Sequence, residues 1–247
     1  MTAPGVPSAT PAALARARNA LAATGGAALG AAARTVAAVR PAAKPLHPRG
    51  EVLAGRLRRL GTLSPTGVAW LDDPSGDPNG EEVLVRRSRA VGLPGPVPDV
   101  HGLAIRVPLP GQVPPYGDVL LASNGFGLLT RFILVPTRRP GGRPLTTLLP
   151  YRSPAGPLLL GARERVPDSG SVSAAFELAY AVGSRPFEVF AELTLSPMAA
   201  DPGDPGDPTD PTVSFDAVEN RIPGLEQYDW VTRLREPAYA LARRSRR

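Results

Sequence analysis

The chain has 247 residues, 43% of them apolar, and its formal net charge of +6 rests almost wholly on arginine, because Lys44 is the only lysine. It contains no cysteine, which excludes disulfides, thiolate metal ligands and iron–sulfur clusters, so any metal must be held by nitrogen or oxygen. There is no uncharged apolar run of about 18 residues, and Arg16, Arg18 and Arg34 interrupt the alanine-rich start. The sequence therefore predicts a soluble, cytoplasmic protein with no membrane span and no signal peptide.

Residues 1–43 read as an alanine-rich helical arm, with Leu14, Leu21, Leu29 and Val36 spaced as one stripe and Gly25, Gly26 and Gly30 breaking it. From Glu51 the period changes. Short stretches rich in Val, Leu and Phe alternate with Gly, Pro, Asp and Asn clusters, which predicts a β core over 44–198. Strands are expected at 51–60, 66–71, 82–88, 102–107, 117–122, 130–136, 145–150, 157–162, 174–181 and 187–195, arranged antiparallel in a barrel or a sandwich.

Residues 199–212 place Asp201, Asp204, Asp207 and Asp210 three apart among prolines. Calcium loops need a different ligand pattern and a closing glutamate, so this segment reads as a solvated polyproline-like linker. Residues 213–247 form a C-terminal wrap, with Asp229 placed to cap a helix from Trp230 towards Arg246. The basic end, Arg243 to Arg247, lacks interleaved aromatic residues and reads as a solvated terminus rather than a nucleic-acid contact.

Four segments carry the chemistry. His47 stands in Lys44-Pro45-Leu46-His47-Pro48-Arg49-Gly50, directly before the first strand. Val85-Arg86-Arg87-Ser88 follows, then Asp99-Val100-His101-Gly102-Leu103-Ala104, then Asp118-Val119-Leu120-Leu121-Ala122-Ser123-Asn124. Further on, Val213-Ser214-Phe215-Asp216 precedes Pro223-Gly224-Leu225-Glu226, and Arg235 stands four residues before Tyr239.

In order and spacing these segments resemble the haem catalase family, closely over 44–135 and loosely over 174–246. His47 with Gly50 is similar to that family's distal histidine motif. Arg86 and Ser88 fall on its VRFS arginine and serine, Asp99 to Ala104 on its aspartate–x–x–glycine–x–alanine strand entry, and Asn124 on its distal asparagine. Arg235 and Tyr239 reproduce its proximal arginine–x3–tyrosine.

The resemblance implies an α+β, mainly β fold: a catalase-like antiparallel barrel of about eight strands with an N-terminal helix arm and a short C-terminal helix. It implies haem b held by Tyr239 as the iron ligand, with Lys44, Arg86, Arg131, Arg235 and Arg243 around the cofactor. The substrate would be hydrogen peroxide or a small organic hydroperoxide, and the arm would pair with a second subunit to make a homo-oligomer.

The residue types suit that chemistry. A neutral imidazole, His47, can take a proton from a peroxide and return it to the leaving oxygen. The amide of Asn124 would orient the peroxide, and Ser88 would fix the imidazole tautomer. A phenolate at Tyr239 needs a cation such as Arg235, because tyrosine titrates near pH 10.

Other readings compete: a haem-binding barrel without turnover, a catalase fold without haem, or an interaction barrel that docks through its arm and linker. A phosphodiesterase-type hydrolase would need clustered carboxylates or histidines, or a nucleophile with its base, whereas the chain has two histidines and no GxSxG or HxD signature.

Overall fold

The computed structural model describes residues 49–90, 92, 97–166, 172–198 and 213–233. The chain divides into two compact units, Met1–Pro41 and Ala42–Arg247, and all described residues belong to the second. The predicted arm, the linker over 199–212, and the site candidates Lys44, His47, Arg235, Tyr239 and Arg243 lie outside the described residues.

Alternation of apolar and polar residues builds the sheet. The strands are β1 (Arg49–Arg59), β2 (Glu81–Arg89), β3 (His101–Pro108), β4 (Tyr116–Ser123), β5 (Leu145–Thr146), β6 (Tyr151–Ser153), β7 (Gly156–Arg165), β8 (Ala174–Val182), β9 (Glu188–Pro197) and β10 (Glu226–Gln227). Eight of them pair antiparallel in the order β7-β5-β4-β3-β2-β1-β9-β8, and β8 pairs back onto β7, which closes a barrel. Closure leaves no open edge among those eight strands. The short strands β6 and β10 extend the sheet from β7.

The register fixes which residues face inward. Leu53, Val85, Ile105 and Val119 lie opposite one another across β1, β2, β3 and β4, and all four belong to the buried core. Because side chains alternate along a strand, the adjacent rungs Val52–Arg86–Ala104–Leu120 and Gly50–Ser88–Gly102–Ala122 face outward. Inside, Leu158, Leu160, Phe176, Leu178, Phe190, Leu193 and Leu195 complete the core. Each such side chain contributes about 1.5–3 kcal/mol on burial.

Two predicted strands take other forms. Residues 66–71 enter a single helical turn, α1 (Ala69–Asp72), which buries Val68, Trp70 and Leu71, with the Trp70 ring edge-on to Phe190 at 5.5 Å. The cause is Asp72: its carboxylate accepts from the Thr66 N–H, the Gly67 N–H and the hydroxyls of Thr62 and Thr66 at 2.6–3.0 Å, curling the chain before it can extend. Burial raises the Asp72 pKa, but these donors outweigh it and hold the carboxyl below its ordinary value.

The apolar run at 130–136 is likewise not a strand. It holds a 3-10 turn at Thr130–Phe132 and then an extended stretch that meets the end of β4, where the Val135 N–H donates to the carbonyl of Ser123, one of the two residues that β5 pairs with. The expected strand at 145–150 is shortened to β5, and the chain re-enters the sheet as β6. The helix at the C-terminal end begins at residue 229, so Asp229 lies in its first turn and Tyr228 precedes it, accepting from the Val231 and Thr232 N–H groups.

The segment after residue 212 is tied to the outer wall by one node. Arg106 makes a two-pronged ion pair with Asp118, Nε and Nη2 each 2.8 Å from a carboxylate oxygen, between the rings of Tyr116 and Phe215. The same carboxylate accepts from the Asp216 N–H and the Asn220 amide, and Arg106 donates to the Ser214 carbonyl. The phenylalanine–aspartate segment picked out in the sequence is thus fastened to β3 and β4.

Candidate functional site

The predicted site residues that are described fall on two stretches of the barrel's outer surface. The first is the wall made by β1 to β4. Its outward rung Gly50–Ser88–Gly102–Ala122 consists entirely of small residues, with Arg86 and Ala104 on the next rung. Arg86 is largely buried, and its guanidinium lies across Gly50: a Cβ added there would sit 2.6 Å from Arg86 Cζ and 2.8 Å from the Arg87 carbonyl. Gly50 is therefore required by the close approach of an arginine, a physical reason for glycine three residues after His47.

Ser88 lies opposite Gly50 on one side and Gly102 on the other, so neither cross-strand partner sets a side chain beside it. The structure thus brings Arg86 and Ser88 to one face, beside Gly50 near the start of β1.

The second stretch is the connection 124–144, which leaves β4 and returns to β5. Its ends are joined by the Asn124 N–H donating to the Pro144 carbonyl at 2.9 Å. Asn124 is fully buried, and its Nδ2 donates to the Arg131 carbonyl at 3.0 Å and to the Thr146 hydroxyl. Thr146 in turn donates to the same Arg131 carbonyl, which fixes the amide orientation. Both Asn124 hydrogens are therefore spent inside the fold, while its Oδ1 is buried with no partner. The expected role of Asn124 as a donor to substrate is not what this arrangement offers; it offers an acceptor.

Arg131, expected near a cofactor carboxylate, is 2% exposed and occupied by backbone. Its Nε donates to the Gly127 carbonyl, its Nη atoms to the carbonyls of Phe126 and Arg185, and its guanidinium lies over the Phe187 ring at 4.9 Å. Burial pulls its pKa below the usual arginine value, with no carboxylate bonded to it to offset the effect. This arginine ties the connection to the β8–β9 hairpin.

His101, read in the sequence as a strand-entry residue, takes that place. It is buried at the start of β3, its N–H donates to the Ser123 hydroxyl at 3.1 Å, and its Nε2 donates to the Thr137 carbonyl at 3.1 Å. Burial, the largest influence, lowers its pKa, Arg89 and Arg87 lower it further, and the Thr137 carbonyl and Asp99 offset only part of this. Sequence reasoning missed Thr146, which holds Asn124 and the Arg131 carbonyl from 22 residues downstream; no local signal marks it.

Among the described residues no group of three or more His, Asp and Glu could hold a metal ion. No helix among them is long and apolar enough to cross a membrane. Comparison with known proteins finds no matching family model and no matching curated protein.

Proposed function

We propose that the chain binds haem against the outer wall of β1 to β4 and acts on hydrogen peroxide or a small organic hydroperoxide. The observation that carries this reading is the pair Arg86 and Ser88 on an outward row of small residues, with Gly50 leaving room for the Arg86 guanidinium. A row of small residues suits the edge of a flat aromatic ligand, and a cation beside it suits a carboxylate attached to that ligand.

Tested against haem, the described residues fit in part. Arg86 would meet a propionate, together with Lys44 and Arg243, and Ser88 would orient the His47 ring. Arg131 does not fit, since carbonyls take up its donors. Tyr239 would be the iron ligand and Arg235 the cation that keeps its phenol ionised. Bound haem supplies an iron centre at which an O–O bond is broken.

The chain's own part is proton transfer: His47 takes a proton from one peroxide oxygen and returns it to the leaving one. Asn124, with both hydrogens committed, would hold the connection 124–144 rather than donate to substrate, and this favours a second reading, haem binding without turnover.

Absorption spectra of the purified protein after haem addition test the proposal. A Soret band in wild type, with a tyrosinate feature lost in Tyr239→Phe, is the expected result; absence of binding at stoichiometric haem would overturn it. Peroxide consumption that disappears in His47→Ala separates turnover from mere binding.

A further inference from the structure

The connection 124–144 does a second thing that the cofactor reading does not use. Between its two anchors it raises a compact lobe with several internal bonds: the Gly125 N–H donates to the Thr130 carbonyl, the Gly127 N–H to the Thr130 hydroxyl, and the Arg131 N–H to the Gly127 carbonyl. Phe126 pins the lobe to the barrel by lying on Gly161 of β7 and stacking on Phe187 with ring centres 4.1 Å apart. A Cβ at Gly161 would sit 2.7 Å from the Phe126 ring, so the lobe is seated through a glycine.

On the far side the lobe holds four large apolar side chains in solvent: Leu129 is 78% exposed, Leu128 59%, Ile133 55% and Phe132 45%. Scattered single exposures are ordinary; four within six residues on a fastened lobe form a patch that calls for a covering surface. Charge indicates its nature. Residues 124–144 contain four arginines and no aspartate or glutamate. Arg131 is internal, but Arg138, Arg139 and Arg143 are exposed. At the lobe's base, Arg163 lies over the Phe126 ring at 5.1 Å and the exposed Arg185 gives its carbonyl to Arg131.

The geometry points to a peripheral docking site for an anionic phospholipid surface, in which the lobe seats Leu128, Leu129, Phe132 and Ile133 at the headgroup–acyl boundary and Arg163 and Arg185 meet lipid phosphates. An apolar tip with a basic surround is the pairing such surfaces bind, each part being weak alone. The N–H groups of Gly125, Gly127, Arg131, Phe132 and Ile133 bond within the lobe, which lowers the cost of partial insertion. A nucleic acid would match the arginines but not the aliphatic tip. This is docking on one leaflet, distinct from a span, and it does not depend on haem.

The test is cosedimentation of the full chain with vesicles of phosphatidylcholine, alone or mixed with phosphatidylglycerol. The mixed vesicles should carry the protein down and the neutral ones should not, with binding weakened by added salt. Leu129→Glu with Phe132→Glu should cut the bound fraction at least about tenfold with an unchanged melting curve, because these side chains are exposed, and Arg163→Gln with Arg185→Gln should also lower it, with at most a small change in melting from the lost contact of Arg163 with Phe126. Wild type remaining in the supernatant with both vesicles, or binding that ignores the apolar substitutions, overturns the proposal. So does a concentration-dependent dimer, seen by sedimentation velocity, that the Leu129 and Phe132 substitutions abolish without any vesicle binding, since the patch would then join two copies.

Discussion

The outer wall of β1 to β4 and the connection 124–144 carry the same kinds of residue, an arginine with a hydroxyl or amide beside it, yet the fold uses them differently. On the wall, Arg86 is laid across a glycine on a floor of small residues. In the connection, Arg131 and Asn124 bind each other's neighbourhood: both donate to backbone carbonyls, and Asn124 bonds the carbonyl of Arg131 itself. Residue type alone does not reveal which of these two surroundings a side chain enters.

The largest effect that would sharpen this contrast is expected at Arg131. Arg131→Ala leaves the carbonyls of Phe126 and Arg185 without this donor, takes one of two donors from the Gly127 carbonyl and uncovers Phe187, at about 3 kcal/mol in chemical denaturation, since each buried group left unpaired costs about 1–3 kcal/mol. Haem affinity per folded molecule should be unchanged. If instead the folded variant loses haem while stability holds, Arg131 belongs to the ligand site and the contrast between the two stretches is broken.

Gly50→Ala probes the other side of the comparison. The added methyl meets the end of a flexible side chain at Arg86 but also the fixed carbonyl of Arg87 at 2.8 Å. The expected cost is about 1–2 kcal/mol, in the range for overpacking, together with a loss of haem binding because the guanidinium is displaced. Gly50→Ala that destabilises without touching haem binding would make the glycine purely a packing residue and remove the main support for a ligand on this wall.

How much of this was legible in the sequence differs between the two stretches for a physical reason. The strands of the wall follow from period-two alternation, and their register follows once Leu53, Val85, Ile105 and Val119 are placed inside; Arg86 and Ser88 then share a face automatically. The connection has no such rule. The run Arg131-Phe132-Ile133-Leu134-Val135 looks like a strand by composition, but its start closes a 3-10 turn, and Val135 bonds Ser123 at the end of β4, where β5 also pairs.

The turn at 66–72 was misread for a related reason. Its apolar residues are buried as a strand's would be, but the Asp72 carboxylate gathers donors from five to ten residues upstream, an arrangement that periodicity cannot register. Asn124 likewise could not be judged, because Thr146 and the Arg131 carbonyl reach it only in the folded chain.

The smallest effect concerns how the connection is fastened at its other end, where His101 donates to the Thr137 carbonyl. Its folded pKa lies below the ordinary value of 6.5, with burial as the main cause, so the folded state resists the proton that the unfolded chain accepts. Above pH 6.5 the histidine is neutral in both states and adds no pH dependence. As the pH falls below 6.5 the unfolded chain is protonated first and stability declines, until the pH passes the folded value and the loss is complete. His101→Gln keeps a donor for Thr137 and removes the titration, so its melting temperature should fall less than that of wild type between neutral and mildly acidic buffer. Equal slopes in the two proteins would mean that the imidazole is already solvated, and that the Thr137 end of the connection opens on its own while the Asn124 end stays closed.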